Sequence, residues 1–265
     1  MSETVEIRTV STDGFQMDYF TFNHGKKPMV ILPGVSVRPV TGSASAVAAQ
    51  YRALTAEHTV TLFDRKHGIE PGYDVRRMAD DTAAAMKALG IEGADVYGTS
   101  QGGMIAQILA IRYPELVGRL VLASSLSRQN AVSRQTFSDW CRLAAGEDIR
   151  ALNRHITERV YSPAYRERYA RAFEALETVG TEADRRRFEV LAWACGEFDC
   201  YDELDQIRCP VMLIGSRQDR VLTGEASEEI AARLDCPVYI YEGYSHAVYD
   251  EAPDCLARVM DFFAG

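Results

Sequence analysis

Met29–Leu32 is a short, wholly apolar run, and five mainly apolar runs resemble it along the chain: Thr59–Phe63, Ala94–Tyr97, Arg119–Ala123, Val211–Ile214 and Val238–Tyr241. Such runs, bounded by turn residues, are what strands of a parallel sheet look like when helices cover both faces. Between them the apolar positions take a helical period. Arg76–Leu89 puts Met78, Ala85, Met86 and Leu89 on one stripe and stops at Gly90. Gln101–Tyr113 does the same with Met104, Ile105, Ile108 and Leu109, and stops before Pro114. Glu225–Leu234 and Asp254–Phe263 supply two more helices. At the start, Thr4–Val10 and Phe15–Phe22 flank the turn residues Ser11-Thr12-Asp13-Gly14 and predict an antiparallel pair. Strands alternating with helices predict an α/β fold with a doubly wound, mostly parallel, eight-stranded sheet.

The alternation breaks between Leu126 and Asp205. This stretch holds no buried strand but several helical segments rich in Arg, Glu and aromatic residues. The predicted organisation is therefore a core of residues 1–125 and 206–265, with a helical lid of residues 126–205 inserted between two sheet strands. A length of 265 residues suits one α/β domain with such an insertion.

Composition narrows the function classes. Apolar residues make up 47% and charged residues 25%, a globular balance that argues against disorder. The net charge of −9 disfavours nucleic acid and anionic membranes as partners, leaving a small molecule as the expected ligand and a homodimer as an open option. No run of 18 apolar residues exists to span a bilayer. The first 18 residues carry Glu3, Glu6, Arg8, Asp13 and Asp18 and no apolar core, so no signal peptide is read and the expected address is the cytoplasm. The six cysteines (141, 195, 200, 209, 236 and 255) form no C-x-x-C pair and no metal-site spacing. They read as reduced and structural, with neither metal nor cofactor expected.

The chemistry centres on Gly98-Thr99-Ser100-Gln101-Gly102, a G-x-S-x-G pattern. Its context gives it weight, because a predicted strand runs into it and a predicted helix leaves it. That is the arrangement in which a serine sits on a strained turn with its hydroxyl above the sheet. A side chain at Gly98 or Gly102 would crowd the neighbouring chain, and Gly103 leaves room for close helix–strand packing. A phosphate-binding reading fails, since that fingerprint needs glycine where Ser100 stands.

A serine nucleophile needs a base, and the base needs an orienting acid. His24 and His58 read as belonging to polar connections, His67 to a charged loop and His155 to the helical insertion. His246 follows the last sheet strand, in Gly243-Tyr244-Ser245-His246, and is the expected base. Asp219 follows Val211–Ile214 in Gly215-Ser216-Arg217-Gln218-Asp219 and is the expected acid. The loop after Arg119–Ala123 offers Ser124, Ser125 and Ser127 but no carboxylate. A tetrahedral intermediate also needs two N–H donors. Gln101 N–H and Val35 N–H, in Pro33-Gly34-Val35-Ser36, are the expected pair.

With Ser100, Asp219 and His246 in that order, the chain resembles the α/β-hydrolase superfamily, specifically its lid-bearing esterases, enol-lactone hydrolases and carbon–carbon bond hydrolases. The resemblance covers essentially the whole chain. It departs at Pro33-Gly34, where this group usually has His-Gly, and at Val221-Leu222-Thr223, where it often has Val-Pro. Ser100 argues against epoxide hydrolases and haloalkane dehalogenases, which use aspartate at the elbow. Gly-Thr-Ser-Gln-Gly is unlike the Gly-Gly-Ser-Trp-Gly of proline iminopeptidases. Ala247 and Val248 stand where carbon–carbon hydrolases often carry tryptophan.

The resemblance implies a cofactor-independent serine hydrolase acting on an ester, thioester or lactone of a small, partly apolar acyl compound. Carbon–carbon cleavage, amide hydrolysis and acyl transfer would use the same triad, and a non-catalytic receptor on this scaffold would have no use for all three residues. In the insertion, Phe137, Trp140, Tyr161, Tyr165, Tyr169, Phe173, Phe188 and Trp193 are candidates to wall a pocket, with Trp140 and Trp193 singled out for their size. Arg185-Arg186-Arg187 reads as a solvated helix face.

Overall fold

In the computed structural model, which describes residues 5–12, 14–52 and 55–265, all six apolar runs are strands of one sheet. The strands are β1 (Ile7–Thr12), β2 (Phe15–Phe22), β3 (Lys27–Leu32), β4 (His58–Lys66), β5 (Ala94–Thr99), β6 (Val117–Ala123), β7 (Val211–Ser216) and β8 (Val238–Tyr241). They lie in the order β1-β2-β4-β3-β5-β6-β7-β8. The first two pairings, β1 with β2 and β2 with β4, are antiparallel and the remainder parallel. Pairing extends to Thr12 opposite Phe15, so Ser11 and Thr12 belong to β1 rather than to the turn. Thr4 and Asp13, included in the predicted strand and turn, lie outside the described residues.

The helices are α1 (Ala44–Tyr51), α2 (Val75–Ala88), α3 (Gln101–Arg112), α4 (Ala131–Ala145), α5 (Ile149–Val160), α6 (Pro163–Arg168), α7 (Ala170–Leu176), α8 (Glu182–Gly196), α9 (Gly224–Leu234), α10 (Val248–Glu251) and α11 (Cys255–Ala264). The pleat of β3 shows how the two faces are served. Met29 and Ile31 point into a layer shared with Ala44, Ala48 and Tyr51 of α1 and Val259 and Phe263 of α11. Val30 and Leu32 point into the opposite layer, with Met78 and Met86 of α2, Ile108 and Leu109 of α3, and Ile230 of α9. Both faces are covered, which is why Met29–Leu32 of β3 is apolar without alternation. Helix α1 is absent from the sequence expectations because its buried face is carried by two alanines and one tyrosine, too little to mark a stripe.

Helices α4 to α8 all fall between β6 and β7. Their starts are written locally. Asn130 with Ser133, and Thr181 with Asp184, form capping boxes, while Asp148 and Ser162 cap α5 and α6. Helices α4 and α8 pack through Trp140, whose ring centroid lies 5.6 Å from Phe137 and 5.8 Å from Phe188. The arginine run on α8 is not the solvated face expected. Arg185 donates to the carbonyls of Ala144 and Gly146, and Arg187 donates to Asp64 Oδ1 at 2.6 Å and to the Ser36 carbonyl at 3.2 Å. Only Arg186, paired with Glu182, projects into solvent. The six cysteines are free thiols. Among the described residues, no helix is long and apolar enough to cross a membrane.

Candidate active site

Ser100 sits between β5 and α3 with φ +52° and ψ −119°, a conformation costing an L-residue roughly 1–3 kcal/mol. The peptide is pinned on both sides. Ser100 N–H donates to the Ala123 carbonyl of β6 at 2.9 Å, and the Ser100 carbonyl accepts from Gly103 and Met104 at the start of α3. The glycines are sterically required. A Cβ on Gly98 would lie 2.6 Å from the Gly102 carbonyl oxygen, one on Gly102 would overlap the Leu32 carbonyl, and one on Gly103 would lie 2.6 Å from Ser125 Cβ.

Asp219 and His246 reach the same edge of the sheet from the loops after β7 and β8. Asp219 Oδ2 accepts from His246 Nδ1 at 2.8 Å, and both side chains are buried. Asp219 Oδ1 accepts from the N–H groups of Val221 at 2.7 Å and Leu222 at 3.0 Å. Burial opposes ionisation of this carboxyl, but the His246 ring and the backbone donors outweigh it and hold its pKa below the usual range. The Val221-Leu222 segment, which departs from the pattern expected of such loops, therefore supplies the amides that fix the carboxylate. With Nδ1 donating to Asp219, Nε2 is the nitrogen available as a base.

The histidine loop is held from two further directions. Ser124 Oγ, on a residue with φ +46°, donates to the His246 carbonyl at 2.6 Å. From the insertion, the carbonyls of Arg159 and Val160 at the end of α5 accept from Ser245 Oγ and Ala247 N–H.

Ser100 and His246 line one cavity of about 450 Å³, within the range of small-ligand sites. Gly34 and Val35 form part of its wall, and Gly34 is so close to the elbow that a Cβ there would lie 3.2 Å from Ser100 Cβ. Val35 N–H has no acceptor among the described residues. Gln101 N–H is the first of α3, one of the donors a helix start leaves without an intrahelical partner. The Gln101 side chain is committed elsewhere. Its oxygen accepts from Arg65, and its nitrogen donates to the Leu191 carbonyl at 2.8 Å and to Cys195 Sγ at 3.1 Å, both on α8.

The insertion forms much of the remaining wall. Of the aromatic candidates, Trp140, Tyr161 and Phe173 line the cavity. Phe137 and Phe188 are buried against Trp140, while Tyr165 stacks on Tyr161 at 5.3 Å and Tyr169 is exposed. Trp193 is not on this wall. It is 39% exposed and lines a separate cavity of about 1170 Å³ with Asp64, Lys66, Arg186 and Arg187. The basic side chains of that second cavity are engaged: Lys66 with Asp81, His67 with Asp18, Arg186 with Glu182 and Arg187 with Asp64.

Two residues on or beside the cavity were not singled out from sequence. Asp250 lines it, four positions beyond His246. Arg65, buried at the end of β4, donates to the Pro33 carbonyl at 2.8 Å as well as to Gln101. His58, expected in a polar connection, instead begins β4 as a buried residue paired with Asp95 Oδ2 at 3.0 Å.

Comparison with known proteins gives the family and the fold. The model of the alpha/beta hydrolase family matches residues 29–259. A relative from Caulobacter sp. (strain K31), named "Putative carbamate hydrolase RutD", is 27% identical over 84% of this chain and 87% of its own length. Among solved structures, an alpha/beta hydrolase enzyme from a Medee basin deep-sea metagenome library superposes with a TM-score of 0.86, at 20% identity over 97% of this chain and 98% of its own. The enol-lactonase from Burkholderia xenovorans LB400 gives 0.83, also at 20% identity, over 97% of this chain and all of its own.

Proposed function

The chain belongs to the alpha/beta hydrolase family, and from that premise we propose that it is a cofactor-independent serine hydrolase whose nucleophile is Ser100. The observation that carries this reading is the 2.8 Å bond from His246 Nδ1 to Asp219 Oδ2, beside a serine held at φ +52° on the wall of the same cavity. Ser100 Oγ attacks the substrate carbonyl while His246 Nε2 takes its proton. Asp219 keeps the proton on Nδ1 and stabilises the imidazolium. The N–H groups of Val35 and Gln101 receive the negative oxygen, and the leaving group takes its proton from His246. Water then resolves the acyl-enzyme with the same base.

The cavity's aromatic and aliphatic lining supports a small, partly apolar acyl compound joined through an ester, thioester or lactone bond. The relatives' name brings carbamates into range, since the same attack at an N–C(=O)–O carbonyl yields a carbamoyl-enzyme. Helices α4 to α8 serve as the lid in this reading.

Labelling with a fluorophosphonate, followed by mass spectrometry of the modified peptide, tests the nucleophile. The expected adduct is on Ser100 and is absent from Ser100→Ala. Protein that takes no label, or labels equally in the variant, would overturn the reading. A panel of acyl esters, thioesters, lactones and carbamates then ranks the bond types.

A further inference from the structure

The Ser100 cavity contains a carboxylate that the hydrolytic steps do not use. Asp250 lies in α10, one helical turn beyond His246, and lines the wall with Tyr51, Tyr161 and Tyr249. Its oxygens accept from Gln50 Nε2 at 3.2 Å and from the Tyr161 hydroxyl at 3.3 Å. Both bonds are long and both donors are neutral, so much of the acceptor capacity of a carboxylate remains unused. No lysine or arginine lies within ion-pair distance of it among the described residues. Arg38, the other charged side chain on the lining, is exposed and forms no ion pair among the described residues; His246 is committed to Asp219.

Burial pushes the Asp250 carboxyl above its usual range, against the donors Gln50 and Tyr161 and the neighbouring His246, and Glu251 adds to the rise. A cation beside it would relieve that cost. Tyrosine rings around the same wall attract a cation to their faces, and a chain charge of −9 draws cationic ligands toward the protein.

We propose that Asp250 is a specificity-determining residue of this cavity, selecting substrates that carry an ammonium group beyond the scissile acyl bond and rejecting those that carry a carboxylate there. The inference rests on the cavity being the substrate site of the proposed hydrolase. It adds the chemical class of the group at the far end of the substrate.

Binding is measured without turnover, by calorimetric titration of Ser100→Ala protein with n-hexylammonium, 1-hexanol and hexanoate. The expected order is ammonium, then alcohol, then carboxylate. Adding Asp250→Asn should reduce the ammonium-to-alcohol affinity ratio by about tenfold or more, the size of one charge-assisted contact. Asp250→Glu should retain part of the preference. In the active protein, the ratio of kcat/KM for p-nitrophenyl 6-aminohexanoate over p-nitrophenyl hexanoate should fall in parallel. An affinity ratio unmoved by Asp250→Asn overturns the proposal. If that variant does not fold, the parent order decides, and failure to prefer ammonium over carboxylate overturns it. If Ser100 takes no fluorophosphonate label, the hydrolase reading fails while the titrations still decide the role of Asp250.

Discussion

One buried guanidinium ties together both segments proposed to stabilise the oxyanion: Arg65 donates to Gln101 Oε1 from Nε at 3.2 Å and Nη2 at 3.0 Å, and Nη2 also reaches the Pro33 carbonyl at 2.8 Å. Gln101 in turn binds α8, and Arg187 of α8 binds Asp64 and Ser36. The spacing between the Pro33–Val35 loop and the start of α3 is thus set by a planar fork, a geometry that lysine cannot reproduce. Arg65 acts through these two segments and is a positioning residue.

Arg65→Lys is expected to lower kcat by roughly 10- to 100-fold with a much smaller change in KM, because losing one oxyanion donor outright costs about 10²–10³. Steady-state kinetics on a single ester, alongside a thermal melt, separates the outcomes. A rise in KM at unchanged kcat, or a fall in Tm with kinetics intact, would show that the fork serves binding or folding alone.

The elbow separates activity from stability in the opposite direction. Ser100→Ala and Ser100→Gly should each reduce hydrolysis by about 10⁴-fold or more. Glycine takes φ +52° without penalty, whereas alanine keeps the strain. Ser100→Gly should therefore be more stable than Ser100→Ala by roughly 1 kcal/mol, about 2–4 °C in Tm for a chain of this size. Equal melting temperatures would mean the elbow stores no appreciable strain.

The two tryptophans should part company. Trp140 is fully buried between Phe137 and Phe188 and also lines the cavity, so Trp140→Ala is expected to cost about 3–5 kcal/mol and to shift preference toward longer acyl groups. Trp193→Ala, on an exposed wall away from Ser100, should stay within about 0.5 kcal/mol of the parent and keep its acyl ranking. Denaturant melts and a chain-length series of p-nitrophenyl esters check both. A changed ranking in Trp193→Ala would place that face of α8 in the substrate path.

What could be read from sequence depended on how local the cause was. The strand runs, the glycines around Ser100 and the loops carrying Asp219 and His246 follow from residues within a few positions of one another. The two tryptophans looked equivalent because the face a helix residue presents is decided by what packs against it, and α8 meets both α4 and the end of β4. Arg185 and Arg187 looked solvated because their partners, Ala144, Gly146, Ser36 and Asp64, are remote in sequence. Arg65 sat unnoticed in a charged run, its purpose set by Pro33 and Gln101. Asp250 carried a usable signal, a second acid on the short turn after the expected base, but without Gln50 and Tyr161 beside it nothing distinguished it from Glu251.

Asp250 also makes a prediction about stability that needs no substrate. Its pKa in the folded chain is raised, chiefly by burial, with Gln50, Tyr161 and His246 opposing and Glu251 reinforcing the rise. The folded state therefore holds this proton more tightly than the unfolded state, where a carboxyl titrates near 4. Stability from this group is fully present below that value and declines as pH rises through the raised folded-state pKa, leaving a cost at neutral pH. Asp250→Asn keeps the shape and the acceptor oxygen but removes the titration. It should melt above the parent at pH 7–8, and the gap should shrink toward zero as pH falls below about 4. Melting curves for the two proteins from about pH 3 to pH 8 test this directly. A parent that is the more stable at pH 8, or a gap that does not vary with pH, would mean that the carboxylate is already compensated in the folded chain. That outcome would also remove the electrostatic vacancy an ammonium group is proposed to fill, since a carboxylate kept at a stability cost is what a binding role requires.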